Sequence, residues 1–311
     1  MFRSILVPLD GSAMAEQALV PAGDIARRVG AAVALAVVHP WGPTEDAPFS
    51  GTEADRELRE VEERYLHELR ERVAATFNVP AEVTLLEGDA APALAAYARE
   101  RRVDLVVGST HGRGAFARAL QGGVALRLAH ALPCPALLLK PLKEASTTPD
   151  PDGFTRIMVP LDGTPAAETS LEPALALAAS RGVVVYLLQV VTPLGGAPLV
   201  DRRREAVRYL NGVASRLEGG GMRVECRVMT RANPGAGIAT LAGRWGIDLL
   251  AITTRERGEG ERLLLGSVAD TAVRLAAMPV LVCHSGVRAR AAEPVRGEGV
   301  SWLVPPLPSP A

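Results

Sequence analysis

The sequence predicts an α/β protein made of two repeated, doubly wound domains, each a five-stranded parallel sheet with helices on both faces. Three observations lead there. The chain contains itself twice: residues 4–19 read SILVPLDGSAMAEQAL and residues 156–171 read RIMVPLDGTPAAETSL. A long internal repeat dictates architecture before any local reading does. Near the end of each copy, Pro135-Ala136-Leu137-Leu138 is answered by Pro279-Val280-Leu281-Val282. Within each copy, apolar runs of strand length alternate with segments of helical period, and that alternation implies a parallel sheet with right-handed crossovers. The length of 311 residues fits two such domains.

In the first copy, Ile5–Val7 is a short apolar strand that ends in Pro-Leu-Asp-Gly. A helix follows, with Ser12 as its N-cap, apolar residues at helical spacing from Ala15 to Val29, and Gly30 as its stop. Val33–Val38 is continuously apolar, as a strand covered on both faces should be. Residues 53–77 read as a charged amphipathic helix with Leu58, Val61, Tyr65, Leu69 and Val73 on one stripe; its charges form a solvated face. A strand at Ala81–Leu86, a helix at Pro92–Arg101, a strand at Leu105–Val107, a helix at Val124–Ala131 and a strand at Ala136–Leu139 complete the copy. The second copy repeats this order, with strands near 157–161, 183–191, 222–229, 248–253 and 280–283, and helices near 165–181, 198–217, 234–244 and 264–277. Asp10 and Asp162 are 152 residues apart, Pro135 and Pro279 only 144, so the second copy is shorter. The loss belongs after the second strand, where the first copy carries the loop 41–52.

The domains expected are 1–142 and 155–285, joined by a linker rich in turn formers at 143–154 and followed by a flexible, Pro-rich tail at 286–311. With 34 basic and 35 acidic residues the net charge is -1, so no global field favours nucleic acid. No apolar run reaches membrane-spanning length. Met1-Phe2-Arg3 enters a strand at once, which leaves no room for a signal peptide. Cys134, Cys226 and Cys283 are scattered and odd in number, without disulfide-framework or zinc spacing, and a reducing cytoplasm is the natural setting.

In an open parallel sheet, ligands collect beyond the carboxyl ends of the strands. Two segments of the first copy reach that edge: Pro8-Leu9-Asp10-Gly11-Ser12 and Gly108-Ser109-Thr110-His111-Gly112-Arg113-Gly114, the latter running to Gly122-Gly123 before a helix. Glycines let backbone approach an anion, and a helix start offers free N–H groups. Asp10 suits a ribose hydroxyl or a base amine. This is a phosphate cradle beside a nucleoside grip.

The span from Leu105 to Gly114 with Gly122-Gly123-Val124, the opening Val-Pro-Leu-Asp-Gly-Ser, Pro133-Cys134-Pro135, and Leu265-Gly266-Ser267-Val268 in the second copy resemble the universal stress protein family. The resemblance covers nearly 3–141 and 155–284 and makes the chain a tandem member. It implies an adenine nucleotide alpha hydrolase-like fold with strand order 3-2-1-4-5. It also implies ATP or AMP as ligand, with or without Mg2+, in those members that keep a Gly-x2-Gly-x9-Gly-Ser/Thr pattern. Here the first copy has Ser109, Gly112, Gly122 and Gly123 at those positions; the second has Thr253, Glu256, Gly266 and Ser267. Each departs in a different place, and a carboxylate at Glu256 would repel phosphate. The resemblance assigns adenine and ribose to Pro8, Leu9, Asp10 and the backbone at Val38, and phosphates to Ser109, Gly112, Arg113, Gly122, Gly123 and Val124. The matching residues of the second copy are Leu161, Asp162, Val190, Thr253, Gly266, Ser267 and Val268. The first copy is the better site.

Plainer roles stand beside these. Asp10 and Asp162 each sit where an Asp ties down its own turn. His111 and His39 read as loop histidines, with no second ligand at metal spacing, and Cys134 reads as a buried small residue. There is no P-loop, no Gly-x-Ser-x-Gly elbow, and no Ser-Gly-Gly-x-Asp-Ser loop after the first strand, so no catalytic set assembles. The sequence therefore points to an adenine-nucleotide-binding regulatory protein of the stress response. At most it hydrolyses ATP slowly or phosphorylates itself. Its halves are expected to pack as an internal pseudo-dimer, with a homodimer and a regulatory protein partner as further expectations. The alternative is a tandem scaffold that no longer holds nucleotide and acts through protein contacts.

Overall fold

The computed structural model describes residues 2–39, 52–109, 131–140, 152–193, 198–254 and 267–285. The first half runs β1 (Ser4–Leu9), α1 (Ala13–Glu16), α2 (Leu19–Val29), β2 (Ala32–His39), α3 (Glu53–Phe77), β3 (Ala81–Glu87), α4 (Ala90–Glu100), β4 (Leu105–Ser109) and β5 (Ala136–Leu139). The second runs β6 (Arg156–Pro160), α5 (Pro165–Glu168), α6 (Leu171–Ala176), β7 (Val184–Val191), α7 (Leu199–Glu218), β8 (Arg223–Thr230), α8 (Pro234–Arg244), β9 (Leu249–Thr254), α9 (Ser267–Leu275) and β10 (Val280–His284). Of the helix expected at 124–131 only the last residue is described, and the tail 286–311 lies outside the described residues.

The single helix expected after Ser12 is two helices, and the same break recurs between α5 and α6. Proline explains it. Pro21 and Pro173 have no N–H to offer the carbonyls of Gln17 and Thr169 four residues back, so the helical ladder cannot cross those positions. The chain closes α1 and α5 with tighter bonds instead, Ala18 N to Ala15 O at 3.1 Å and Thr169 N to Ala166 O at 3.3 Å. Each proline then sits in the first turn of the next helix, where the missing donor costs least.

The ten strands form one sheet in the order β3-β2-β1-β4-β5-β10-β9-β6-β7-β8. Each half has the order 3-2-1-4-5 with parallel neighbours. The halves meet edge to edge through β5 and β10, which run antiparallel with Leu138 opposite Val280, Leu137 opposite Leu281 and Ala136 opposite Val282. Leu137 and Leu281 are repeat counterparts, so this register is self-complementary and an internal pseudo-twofold axis passes between them, normal to the sheet.

Two apolar layers cover the sheet. On one face lie α1 to α3 and α5 to α7, burying residues such as Leu19, Ile25, Leu69, Leu171, Leu210 and Val213. On the other lie α4, α8 and α9, with Leu94, Ile238, Leu241 and Ala272. The stripe expected on α3 is corrected by the structure. Leu66, Leu69, Val73 and Phe77 are buried, but Leu58 and Val61 are 42% and 54% exposed. A helix of 25 residues is about 37 Å long, whereas an eight-residue strand such as β2 reaches about 26 Å. The first turns of α3 reach beyond the sheet with a polar inward face, on which Asp55 and Glu62 contact His39 and Arg59 contacts Glu87, and this leaves Leu58 and Val61 on the outer side.

A second joint lies on the first face. The Arg28 guanidinium at the end of α2 donates to the carbonyls of Asp152 and Ala178 at 3.0 Å each and of Leu177 at 3.4 Å. Gly153 (φ 110°) makes room for it, since a Cβ there would lie 2.3 Å from Arg28 Nη1.

Leu137→Ala and Leu281→Ala should each lower stability by about 2–5 kcal/mol, the usual cost of emptying a buried leucine site. Because the two side chains occupy equivalent places, the losses should agree closely in urea titrations. A loss at only one of them would mean that the halves do not share that joint.

Candidate functional site

Between β1 and β4 the strand order reverses, and the same happens between β6 and β9. The crevice outside the carboxyl ends at such a switch point is the usual ligand site of open α/β sheets. In the first half, Pro8 and Leu9 end β1, Asp10 opens the next turn, Val38 lies near the end of β2 and Ser109 ends β4. Leu9 is opposite Val37 and the strands are direct neighbours, so these residues gather at one edge. Leu161, Asp162, Val190 and Thr253 occupy the equivalent edge of the second half, and Ser267 and Val268 begin α9. Gly112, Arg113, Gly122, Gly123, Val124 and Gly266 lie outside the described residues.

The turn after the first strand is built identically in both halves. Ser12 donates to Asp10 Oδ1 from its backbone nitrogen (3.0 Å) and its hydroxyl (2.6 Å), and its oxygen accepts from Ala15 N, capping α1. Thr164 does the same to Asp162 Oδ1 at 3.0 and 2.6 Å and caps α5 through Ala167 N. Gly11 and Gly163 take the positive φ (74° and 89°) that this tight reversal needs. One oxygen of each aspartate therefore orders its own turn, the plainer of the two roles.

The edges differ elsewhere. Ser109 is buried at the end of β4. Its counterpart Thr253 donates its hydroxyl to Ala167 O at 3.1 Å and lies 3.4 Å from the Thr169 hydroxyl, so this side chain is turned toward the end of α5. Next to it, buried Thr254 shares a 3.0 Å hydrogen bond with His284 Nδ1.

Two features escaped the sequence reading. Glu16 of α1 accepts from the Tyr65 hydroxyl at 3.1 Å and pairs with Arg72, both on α3. Glu168 of α5 accepts from Tyr209 at 2.9 Å and pairs with Arg216, both on α7. The same three-residue clasp thus ties the helix after the Asp turn to the long helix in each half. Glu16 to Glu168 spans 152 residues but Tyr65 to Tyr209 only 144, which places the shortening of the second copy between β2 and the middle of α3. The shared Ala-Glu of the repeat was the available signal; its partners lie some fifty residues on.

His39 is not a loop histidine. It ends β2, is buried, and holds a carboxylate on each ring nitrogen, Glu62 at 2.7 Å on Nδ1 and Asp55 at 2.9 Å on Nε2. Arg59 joins Asp55 (3.3 Å) to Glu87 (2.5 Å). The imidazole fastens the overhanging start of α3 to the carboxyl edge. Its carboxylates face opposite nitrogens and cannot converge on one ion. Among the described residues no group of three or more His, Cys, Asp or Glu is arranged to hold a metal, and no helix is long and apolar enough to cross a membrane.

Burial, reinforced by the neighbouring Glu16 carboxylate, pushes the Tyr65 hydroxyl well above the ordinary tyrosine range; burial and Glu168 do the same to Tyr209. Burial pushes the Cys134 thiol up to about 12, which makes it a packing residue and a poor nucleophile.

The family model for universal stress proteins matches residues 1–140 and again 153–284. The chain belongs to the universal stress protein family. A universal stress protein of Mycobacterium tuberculosis is 26% identical over 299 residues, covering 91% of this chain and 97% of the relative. One from Thermus aquaticus is 33% identical over 144 residues, which is 45% of this chain and all of the relative. The crystal structure of a universal stress protein from Archaeoglobus fulgidus superposes with a TM-score of 0.72 over 91% of this chain and 98% of that chain, at 19% identity, a likeness of fold.

Alkaline pH should expose the two clasps. The fold holds Tyr65 and Tyr209 protonated, whereas the unfolded chain releases those protons at the ordinary value of 10.0. The native state thus binds more protons above that pH, and stability present below it is lost as pH rises further. Urea midpoints measured between neutral pH and pH 11 should fall, and the Tyr65→Phe/Tyr209→Phe double variant should flatten the fall. An unchanged slope in that variant would refute the assignment.

Proposed function

We propose that this universal stress protein is an adenine-nucleotide-binding regulatory protein of the cytoplasm, with ATP or AMP, accompanied or not by Mg2+, held in the first half. The observation that carries a nucleotide site is the ordered Asp turn at a switch point, with the ends of β2 and β4 beside it; the choice of the first half rests on the sequence, where Gly112 stands at the position of Glu256 in the second copy. Leu9, Asp10 and the Val38 backbone would take the nucleoside. Ser109 and the glycine-flanked positions Gly112, Arg113, Gly122, Gly123 and Val124 would take the phosphates, through N–H groups and one guanidinium. Pro8 sets the entry to the turn. Nucleotide occupancy would change the surface that this loop shows to a regulatory partner protein. Domains 1–142 and 155–285 would act as an internal pseudo-dimer, with 143–154 as linker and 286–311 as tail.

For the second half a scaffold role is favoured by one observation. Glu256 stands in the sequence where a phosphate loop wants glycine. Leu161, Asp162, Val190, Gly266, Ser267 and Val268 would then line a crevice that nucleotide does not enter.

Fresh protein, denatured and analysed by ion-exchange chromatography, should release one adenine nucleotide per chain, or else bind one in calorimetry. Gly112→Glu should remove it, and Glu256→Gly should raise the stoichiometry toward two. No carried nucleotide, together with no calorimetric signal from ATP or AMP at millimolar concentration, would overturn the proposal in favour of the scaffold for both halves.

A further inference from the structure

His39 ends β2 with its side chain 1% exposed, between Glu62 on Nδ1 (2.7 Å) and Asp55 on Nε2 (2.9 Å). A neutral imidazole has one N–H, so with both carboxylates ionised one of them would face a bare nitrogen lone pair. An imidazolium has two N–H groups and satisfies both carboxylates with charge-assisted bonds. The charged groups on the neighbouring elements do not supply the missing donor. Arg59, also on α3, is committed to Asp55 and to Glu87. Glu87 of β3 stands opposite His39 in the strand register and adds a carboxylate. On the other side β1 runs into Asp10, whose Oδ1 is engaged by Ser12. The carboxylates of Asp55, Glu62 and Glu87 therefore have Arg59 alone to balance them unless the ring is charged.

The second half shows that the fold does not require this cluster. At the places of His39, Asp55 and Glu62 it has Val191, Leu199 and Ala206, while Arg203 still reaches the neighbouring strand and donates to the Thr230 hydroxyl at 3.1 Å. Val191 and Ala206 are buried, so the start of α7 is held there by packing where the start of α3 is held by ionisable groups. We infer that His39 is a proton-operated latch. Protonated, it pins the first turns of α3 to the carboxyl edge of the first half; when the ring loses its proton, those turns are released. The pinned state binds one more proton than the released state, in which water solvates the neutral ring and both carboxylates separately. Pinning is therefore favoured at low pH and lost as pH rises through the titration of the imidazole. The residue before His39 is Val38, so the proton governs how firmly that edge is covered, whatever ligand the edge takes.

Amide hydrogen exchange on the full chain from about pH 5 to 8, corrected for the intrinsic effect of pH on exchange, tests this, with the His39 ring titrated by NMR in the same samples. Protection of the amides of residues 57–63 should fall at least about tenfold as the ring loses its proton, while residues 203–207 of α7 keep theirs. His39→Val should lower protection of 57–63 at every pH, because Asp55 and Glu62 then face an aliphatic side chain. His39→Val/Asp55→Leu/Glu62→Ala, which copies the second half, should restore that protection and make it independent of pH. A ring that does not titrate over this range, protection that does not follow the ring, an equal fall in α7, or a fall that persists in the triple variant would each overturn the inference.

Discussion

The pairing of β5 with β10 is the constraint on which the rest depends. Each is a short, buried strand at the end of its half-sheet, and each would otherwise present a row of unmet backbone donors and acceptors. By pairing with each other they remove both edges and merge two cores into continuous layers on either side of ten strands. The register that achieves this sets Leu137 against Leu281, its own repeat, so duplication supplies the complementarity without a second evolved surface. Arg28 adds a polar joint nearby, where Gly153 gives up its side chain to admit the guanidinium.

Once the halves are fixed in this way, the two carboxyl edges are related by a twofold but need not be alike. The Asp turn and the Glu–Tyr–Arg clasp are retained in both, because they order the chain between the first strand and the long helix irrespective of any ligand. The differences fall on side chains with a choice. Ser109 against Thr253 decides what the end of the fourth strand offers, and His39 against Val191 decides whether the end of the second strand holds an imidazole that ties down the start of the long helix. The proposed nucleotide site in the first half and scaffold surface in the second would follow from such single exchanges on one frame.

The fold was legible in the sequence because its signals are local and repeated. Strand runs such as Val33–Val38, the Asp-Gly turns and the doubled Val-Pro-Leu-Asp-Gly all declare themselves within a few residues. The interrupted helix after Ser12 was legible too, had Pro21 and Pro173 been weighed as missing donors. The site was less so. The clasp partners of Glu16 lie on another helix, and the carboxylates that hold His39 come from sixteen and twenty-three residues away, so no spacing rule brings them together.

The sequence by itself determined the duplication, the strand and helix order, the family, and the places where an adenine nucleotide would be sought, because periodicity and repetition are properties of the chain read in a line. Only the tertiary structure decided that the halves join through their last strands, that Leu58 and Val61 stay outside while Leu66 goes in, and that His39 is a buried anchor. Those outcomes depend on how far a helix reaches past a sheet and on which side chains meet across it, distances that a one-dimensional pattern does not contain.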